Sequence, residues 1–192
     1  MSNRDRSKQN IFVTGFSGTG KSTVSLNVAT TLGWQFIDMD QEITQQTGTS
    51  IETIFREEGE SIFRNLEKEI LQRICMLEHQ VVSTGGGVGI DKRNLNLMSH
   101  NGFIVCLEAT PQTIHRRLIA QFASRGERVI RPLLSGKDPL QRIVNLKNER
   151  QQSYLLADWT VHTDGMTPDE VGRKVVDGWE FYQQPETPEV LM

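Results

Sequence analysis

The stretch from Gly15 to Ser22 has the residue types and spacing of a phosphate-binding loop. It reads Gly-Phe-Ser-Gly-Thr-Gly-Lys-Ser, with Lys21 and Ser22 at its end. Its glycines allow successive backbone N–H groups to turn towards an anion. Lys21 can reach the β- and γ-phosphates of a nucleotide, and the Ser22 hydroxyl can coordinate Mg²⁺. The motif predicts a nucleoside triphosphate site without specifying the reaction.

The segments on either side of this loop support the same interpretation. Residues 10–14 are a short apolar run of strand-forming types, and residues 22–32 form a helix-compatible segment that Gly33 closes. The loop would then lead into a helix N-terminus, where the helix dipole also favours a phosphate. This context argues against a glycine turn that matches the motif by chance.

Two carboxylates lie at the end of the second predicted strand. Asp38 and Asp40 are two residues apart, so strand alternation predicts that they point to the same side. One carboxylate can then hold Mg²⁺ through water while the other accepts a proton from a substrate hydroxyl. Alternatively, Asp40 caps a helix that begins near Gln41. The spacing leaves both interpretations open.

Three consecutive glycines follow the third predicted strand, and one arginine stands out upstream of them. Gly85, Gly86 and Gly87 either form a flexible turn or let the backbone approach a ligand closely, and the second interpretation suits a nucleotide-binding fold. Arg64 belongs to an amphipathic run with apolar neighbours. A lone helical arginine usually lies at the surface, but here it can point into a cleft and bind a substrate carboxylate.

The order of apolar runs predicts an α/β fold with three α/β/α layers around a five-stranded parallel sheet. Ligands of such sheets bind at the carboxyl ends of the strands. One domain is expected for residues 1–192, with a core at about 10–182 and polar tails. The strands are predicted at residues 11–14, 35–38, 81–84, 103–108 and 159–163. The helical segments are predicted at residues 21–32, 41–79 (with breaks at Gly48 and Gly59), 91–99, 111–122, 138–157 and 168–182. Residues 123–136 lack a clean period and predict a mobile loop.

The bulk composition excludes several classes of protein. No apolar stretch of the 192 residues approaches the roughly 18 that a membrane helix needs. Residues 1–9 are polar and include no apolar run, so no secretory signal is expected. The two cysteines read as reduced core thiols, and the four histidines lack metal-ligand spacing. We therefore expect a cytoplasmic protein without a membrane partner.

Basic residues are concentrated in one part of an otherwise acidic chain. Between residues 116 and 150 there are nine lysines and arginines and three acids, whereas the whole chain has a net charge of −3. This excess indicates either a solvated helix face or a surface for phosphates or carboxylates. Nucleic-acid binding is disfavoured because the global charge is acidic and the segment has few aromatic residues.

From about residue 11 to about residue 164 the chain resembles the shikimate kinases. The matching motifs are GFSGTGKST, FIDMD, SIETIFREEGESIFRNLE, STGGGV, RPLL, and Arg150 followed by Tyr154. The long central signature is far more distinctive than the phosphate-binding loop. The resemblance implies a P-loop kinase that moves the γ-phosphoryl group of Mg-ATP to the 3-hydroxyl of shikimate, in aromatic amino-acid biosynthesis. It also implies that residues 41–79 bind substrate and that residues 123–137 form a lid.

The resemblance assigns roles to individual residues. The ATP-binding residues would be Gly18, Thr19, Gly20, Lys21, Ser22, Thr23, Arg131 and Arg125, with Arg128 as the alternative to Arg125 at the adenine. Ser22 would coordinate Mg²⁺, with Asp38 behind it. Asp40 would bind the reacting hydroxyl and act as the base or help orient it. Arg64 and Arg150 would hold the shikimate carboxylate beside Gly85, Gly86 and Gly87. The catalytic residues would be Lys21, Asp40 and Arg131.

Two other functions compete with this interpretation. A small kinase for another hydroxylated acid, such as gluconate, would keep the P-loop, but the central signature and Arg150 favour shikimate. A non-catalytic nucleotide-binding module is disfavoured because Lys21, Asp40 and Arg131 are all present. We expect a monomer whose partners are ATP and shikimate, with no nucleic acid.

Overall fold

Five parallel strands form the centre of the protein. The computed structural model describes residues 9–125 and 138–184. The strands are β1 (Asn10–Gly15), β2 (Gln35–Asp38), β3 (Gln80–Ser83), β4 (Phe103–Glu108) and β5 (Trp159–His162). They pair in the order β2-β3-β1-β4-β5, and each pair is parallel. The predicted five-stranded parallel sheet is confirmed, with strand bounds within one residue of those expected.

Helices connect the strands and cover the sheet. They are α1 (Lys21–Leu32), α2 (Met39–Thr47), α3 (Ile51–Glu57), α4 (Glu60–Ile74), α5 (Lys92–Asn101), α6 (Pro111–Arg125), α7 (Pro139–Tyr154) and α8 (Pro168–Gln183), with a 3₁₀ turn at Val88–Ile90. The predicted breaks between α2, α3 and α4 are confirmed at Gly48 and Gly59. Both residues have positive φ, 66° and 86°, which glycine adopts without a steric penalty.

Alternation along the central strand divides the core into two layers. Phe12 of β1 packs into a cluster formed with α2, α3, α4 and α5, whereas Ile11 and Val13 pack into a cluster with α1 and α8 on the opposite face. Successive side chains of a strand point to opposite faces, so one apolar strand supports both layers. A third cluster under α6 and α7 contains Phe16 and Tyr154. The predicted α/β/α layering is therefore confirmed.

The segment predicted as a loop begins later than expected. Helix α6 continues to Arg125, so residues 123–125 are helical and the prediction was wrong for these three. The rest of the predicted lid, residues 126–137, lies outside the described residues. Among the residues that the structure describes, no helix is long and apolar enough to cross a bilayer.

A close backbone contact at Gly102, near the start of the sheet, leads to a prediction about stability. A Cβ atom at Gly102, between α5 and β4, would lie 2.2 Å from the carbonyl oxygen of Asn10. We expect Gly102→Ala to lower the free energy of unfolding by about 1–3 kcal/mol, because backbone atoms would have to move. The measurement is a urea unfolding curve.

A helical glycine supplies the control. The Cβ of Gly172→Ala in α8 would meet its nearest atoms only at 3.7 Å and beyond. This variant should raise the free energy of unfolding by about 0.5–1 kcal/mol, since alanine restricts the unfolded chain. Equal stability of Gly102→Ala and the parent protein would contradict the close contact.

Candidate active site

The predicted phosphate-binding loop connects β1 to α1, as its flanking segments indicated. Gly18 and Gly20 have φ of 83° and 100°, which lets the backbone turn tightly before the helix begins at Lys21. The Lys21 Nζ donates to the carbonyl oxygens of Gly15 at 3.0 Å and Phe16 at 3.1 Å. The Thr19 hydroxyl donates to the same Phe16 oxygen at 2.8 Å. The lysine therefore lies across the loop, at the N-terminus of α1, where anions are favoured.

Lys21 is a partly buried cation with acidic neighbours. Burial lowers its pKa, and the charges of Asp40 and Asp38 oppose that effect. The two carboxylates thus favour the charged form of a side chain that is partly removed from water. A cation in this setting interacts more strongly with phosphate oxygens than it would in water.

Asp38 and Asp40 do not share one face of a strand. Strand β2 ends at Asp38, and Asp40 lies in the first turn of α2, so the predicted alternation was wrong. Asp38 Oδ1 accepts hydrogen bonds from the backbone N–H groups of Asp40 at 3.1 Å and Gln41 at 3.3 Å. The helix cap is therefore Asp38, and the alternative role of Asp40 as cap was also wrong. The strand–helix junction was therefore predicted correctly, but the cap was assigned two residues too late, at Asp40 instead of Asp38.

Oxygen atoms suited to a hard cation lie beside the loop. The Ser22 Oγ is 3.2 Å from the Ser83 Oγ at the end of β3. Hydroxyl and carboxylate oxygens are the ligands that Mg²⁺ prefers, and Mg²⁺ usually keeps several waters when it is bound with phosphates. Among residues 9–125 and 138–184, no cluster of three histidine, cysteine or acidic side chains forms a complete metal site. The donors present therefore fit a magnesium ion that the nucleotide carries.

Side chains of several predicted site residues lie against the three glycines that follow β3. A Cβ at Gly85 would lie 3.0 Å from Asp40 Oδ1 and 2.9 Å from Glu67 Oε1. A Cβ at Gly87 would lie 2.2 Å from Arg64 Nη1. Side chains from α2 and α4 thus fill the space that a side chain at position 85 or 87 would need, which accounts for the glycines at these two positions.

Arg64 is held by two carboxylates on its own helix. Its Nη1 donates to Glu67 Oε2 at 2.7 Å, and its Nη2 donates to Glu60 Oε1 at 2.9 Å. Burial alone would lower the pKa of Arg64, but the hydrogen bond and charge of Glu67 outweigh it and the pKa is raised. The guanidinium is therefore fixed against Gly87, at the edge of the glycine segment.

Glu67 is a site residue that sequence reasoning missed. It is only 1% exposed, and its Oε1 accepts no hydrogen bond from the residues that the structure describes. Burial raises its pKa against the opposing effect of Arg64. The sequence did place Glu67 three residues after Arg64, so that the two side chains meet on one face of a helix. Such acid–arginine pairs are also common on exposed helix surfaces, so the spacing alone did not indicate a buried site residue.

Arg150 reaches the same glycines from the opposite side. It lies on α7, and its Nη1 donates to the carbonyl oxygen of Gly86 at 3.2 Å. Its guanidinium carbon is 5.2 Å from the centroid of the Phe16 ring. The structure thus brings Arg64 and Arg150, which are far apart in sequence, to adjacent residues of one short segment, Gly87 and Gly86.

A second residue that sequence reasoning missed lies beside the phosphate-binding loop. Arg117 of α6 donates to the Thr19 carbonyl oxygen at 3.3 Å and to the Thr163 carbonyl oxygen and hydroxyl at 2.8 Å each. The only sequence signal was its place in the basic segment, which many surface arginines share. The side chain of Arg125 and all of Arg128 and Arg131 lie outside the described residues.

The buried carboxyl of Glu67 predicts a pH dependence of stability. Because its pKa is raised in the folded protein, the folded state holds the proton more tightly than the unfolded state does. The free energy of unfolding should therefore fall as pH rises through the folded pKa. We expect the stability advantage of the parent protein over Glu67→Gln to be larger at about pH 5 than at about pH 8 in urea unfolding. An advantage that is constant or grows with pH would contradict this sign.

Comparisons with known proteins agree with the geometry. A family model for shikimate kinase matches residues 17–180. The shikimate kinase of Thermodesulfovibrio yellowstonii is 38% identical over 172 residues, which are 90% of this chain and 95% of that protein. That of Persephonella marina is 39% identical over 168 residues, or 88% of this chain and 97% of that protein. The solved structure of shikimate kinase from Acinetobacter baumannii in complex with shikimate matches with a TM-score of 0.83 at 28% identity, covering 94% of this chain and 97% of that chain. The chain therefore belongs to the shikimate kinase family of ATP-dependent phosphotransferases.

Proposed function

We propose that the protein transfers the γ-phosphoryl group of Mg-ATP to the 3-hydroxyl of shikimate, giving ADP and shikimate 3-phosphate. One observation carries the substrate assignment. Arg64 and Arg150 reach Gly87 and Gly86 from two different helices, beside Asp40 and next to the phosphate-binding loop. Two guanidinium groups at one short segment suit a carboxylate, and a nearby aspartate suits a hydroxyl of the same small molecule.

The nucleotide half of the site is formed by the loop and the start of α1. The backbone amides of Gly18, Thr19 and Gly20 would cradle the phosphates, with Lys21 and the N-terminal residues Ser22 and Thr23 completing the contacts. Ser22, with Asp38 behind it through water, would hold Mg²⁺, which when bound neutralises charge on the phosphate oxygens.

The acceptor half depends on positioning. Arg64 and Arg150 would bind the carboxylate and so fix the ring of the substrate, with the glycine segment contributing backbone contacts. Asp40 would then accept a hydrogen bond from the reacting hydroxyl and take its proton as the oxygen attacks phosphorus. Lys21 lies near Asp40 and would stabilise the charge on the transferred group. The main contributions are orientation and electrostatics, as expected for phosphoryl transfer.

Arginines from the basic segment would complete the nucleotide site. We propose that Arg131 contacts the transferring phosphoryl group and that residues 126–137 act as a lid that excludes water, as the family resemblance implies. For the adenine, Arg117 is a stronger candidate than Arg125 or Arg128, because its guanidinium already lies against Thr19 of the loop. We further propose that the protein acts as a cytoplasmic monomer without a nucleic-acid or membrane partner, since every group named here belongs to one chain.

The test of this function is acceptor-dependent ADP release. Purified protein would be given Mg-ATP with shikimate, with gluconate or with no acceptor, and we expect turnover only with shikimate. Asp40→Asn keeps the size of the side chain but removes the base, so kcat should fall about a hundredfold or more. Turnover with gluconate alone would keep the kinase activity but reject the assigned acceptor. Nucleotide binding without turnover on any acceptor would reject the enzyme.

The glycine segment gives a sharper test of the carboxylate site. In Gly87→Ala the new methyl group would occupy the position of the Arg64 guanidinium, only 2.2 Å away. We expect the KM for shikimate to rise roughly ten- to a hundredfold through loss of a charged hydrogen bond, with a smaller change in the KM for ATP. Steady-state kinetics with each substrate varied would measure both constants.

Gly86→Ala is the matched control. Its Cβ would have only the Ser17 backbone nitrogen nearby, at 3.8 Å, so Arg64 stays in place. If both variants raise the shikimate KM equally, the effect comes from a methyl group against the substrate and not from displacement of Arg64.

A further inference from the structure

We propose that Phe16 is a positioning residue for the substrate carboxylate, because its ring holds the guanidinium of Arg150 in the orientation that binds the acid. The inference rests on the proposed function, in which Arg150 contacts shikimate. It assigns a role to a residue of the phosphate-binding loop that the loop's own chemistry does not require. The motif leaves position 16 free, and phosphate binding uses backbone groups there.

The contact has the geometry of a cation–π interaction. The guanidinium carbon of Arg150 lies 5.2 Å from the centroid of the Phe16 ring, within the range in which the negative face of an aromatic ring attracts a cation. Phe16 is 1% exposed, so water competes little for that face. On the far side, Arg150 Nη1 donates to the Gly86 carbonyl oxygen. The guanidinium is therefore fixed from two directions.

The ring itself is immobilised from both the loop and the helix that carries Arg150. Phe16 packs in one cluster with Ile143 and Tyr154, which lie on α7 together with Arg150. Its carbonyl oxygen accepts hydrogen bonds from Lys21 and Thr19. A long arginine side chain loses much rotamer freedom when it binds a ligand, and a fixed ring removes part of that cost beforehand.

An aromatic ring also orients Arg150 without neutralising it. Arg64 forms ion pairs with Glu60 and Glu67. Within residues 9–125 and 138–184, no carboxylate forms an ion pair with Arg150. It contacts a ring face and a carbonyl oxygen and lies beside the Tyr154 phenol, whose raised pKa keeps it neutral, so none of these groups neutralises its positive charge. Arg150 is therefore the main source of net attraction for the acid, and Phe16 keeps that charge in place.

The first test separates this role from ordinary packing. Phe16→Leu removes the ring face but keeps an apolar side chain. We expect the shikimate KM to rise about three- to tenfold, with smaller changes in kcat and in the KM for ATP. Phe12→Leu is the control, since Phe12 is equally buried but packs in a separate cluster with α2, α3, α4 and α5. It should lower thermal stability without raising the shikimate KM.

The second test changes the electron density on the face of the Phe16 ring while the shape of the ring is kept. Replacement of Phe16 by a trifluorinated phenylalanine weakens the negative face while the packing is kept, so the shikimate KM should lie between those of the parent protein and Phe16→Leu. In the background of Arg150→Lys, which cannot keep the planar stacked contact, Phe16→Leu should have little further effect.

Two results would overturn the proposal, and they are distinguishable. If Arg150→Lys raises the shikimate KM but Phe16→Leu and the fluorinated ring do not, or if they lower it, then Phe16 does not position Arg150. If Arg150→Lys itself leaves the shikimate KM unchanged, the carboxylate assignment of the proposed function fails, and the role of Phe16 fails with it.

Discussion

The backbone of residues 85–87 passes within contact distance of side chains from several elements, and the site depends on this close approach. Asp40 and Glu67 lie against Gly85, Arg64 lies against Gly87, and the carbonyl oxygen of Gly86 accepts from an arginine of α7. A side chain at Gly85 or Gly87 would push one of these groups away. The segment follows β3 at the carboxyl end of the sheet, where β1 also delivers the phosphate-binding loop. This stretch of three glycines thus lies between the proposed nucleotide half and the proposed acceptor half of the site.

The two arginines at this segment differ in their electrostatic surroundings. Arg64 is nearly neutralised by its helical carboxylates, which hold it firmly and reduce its net attraction for an anion. Arg150 is held by an aromatic ring and a carbonyl oxygen and keeps its charge. In the proposed site, Arg64 would then select an acceptor mainly by the position of its carboxylate, and Arg150 would select it mainly by its negative charge. Two fully neutralised arginines would bind an acid weakly, and two unpaired ones beside the same segment would repel each other.

Sequence reasoning recovered the architecture and named many of the residues that the structure brings together at the candidate site, because strand and helix periods, the phosphate-loop spacing and glycine runs are local signals. It failed where the outcome depends on a junction or on tertiary contacts. The cap of α2 is Asp38 and not Asp40, since α2 begins at Met39, directly after the last residue of β2. Glu67 and Arg117 looked like ordinary charged helix positions, and only folding buries the first and brings the second to the loop. No local pattern encodes such contacts.

The parallel sheet order also has a consequence for how the protein is made. Each strand pairs only with strands distant in sequence, as in the pairing of Asn10 with Gln80, so the sheet closes late and slowly during folding. The proposed acceptor site is complete only when β3 and α7 have assembled beside the phosphate-binding loop that follows β1. Ligands that bind only the finished state add about 2.7 kcal/mol of stability at a hundred times their Kd. If the proposed substrates bind as inferred, their levels in the cell will influence how much of the chain stays folded, as well as how fast the enzyme works.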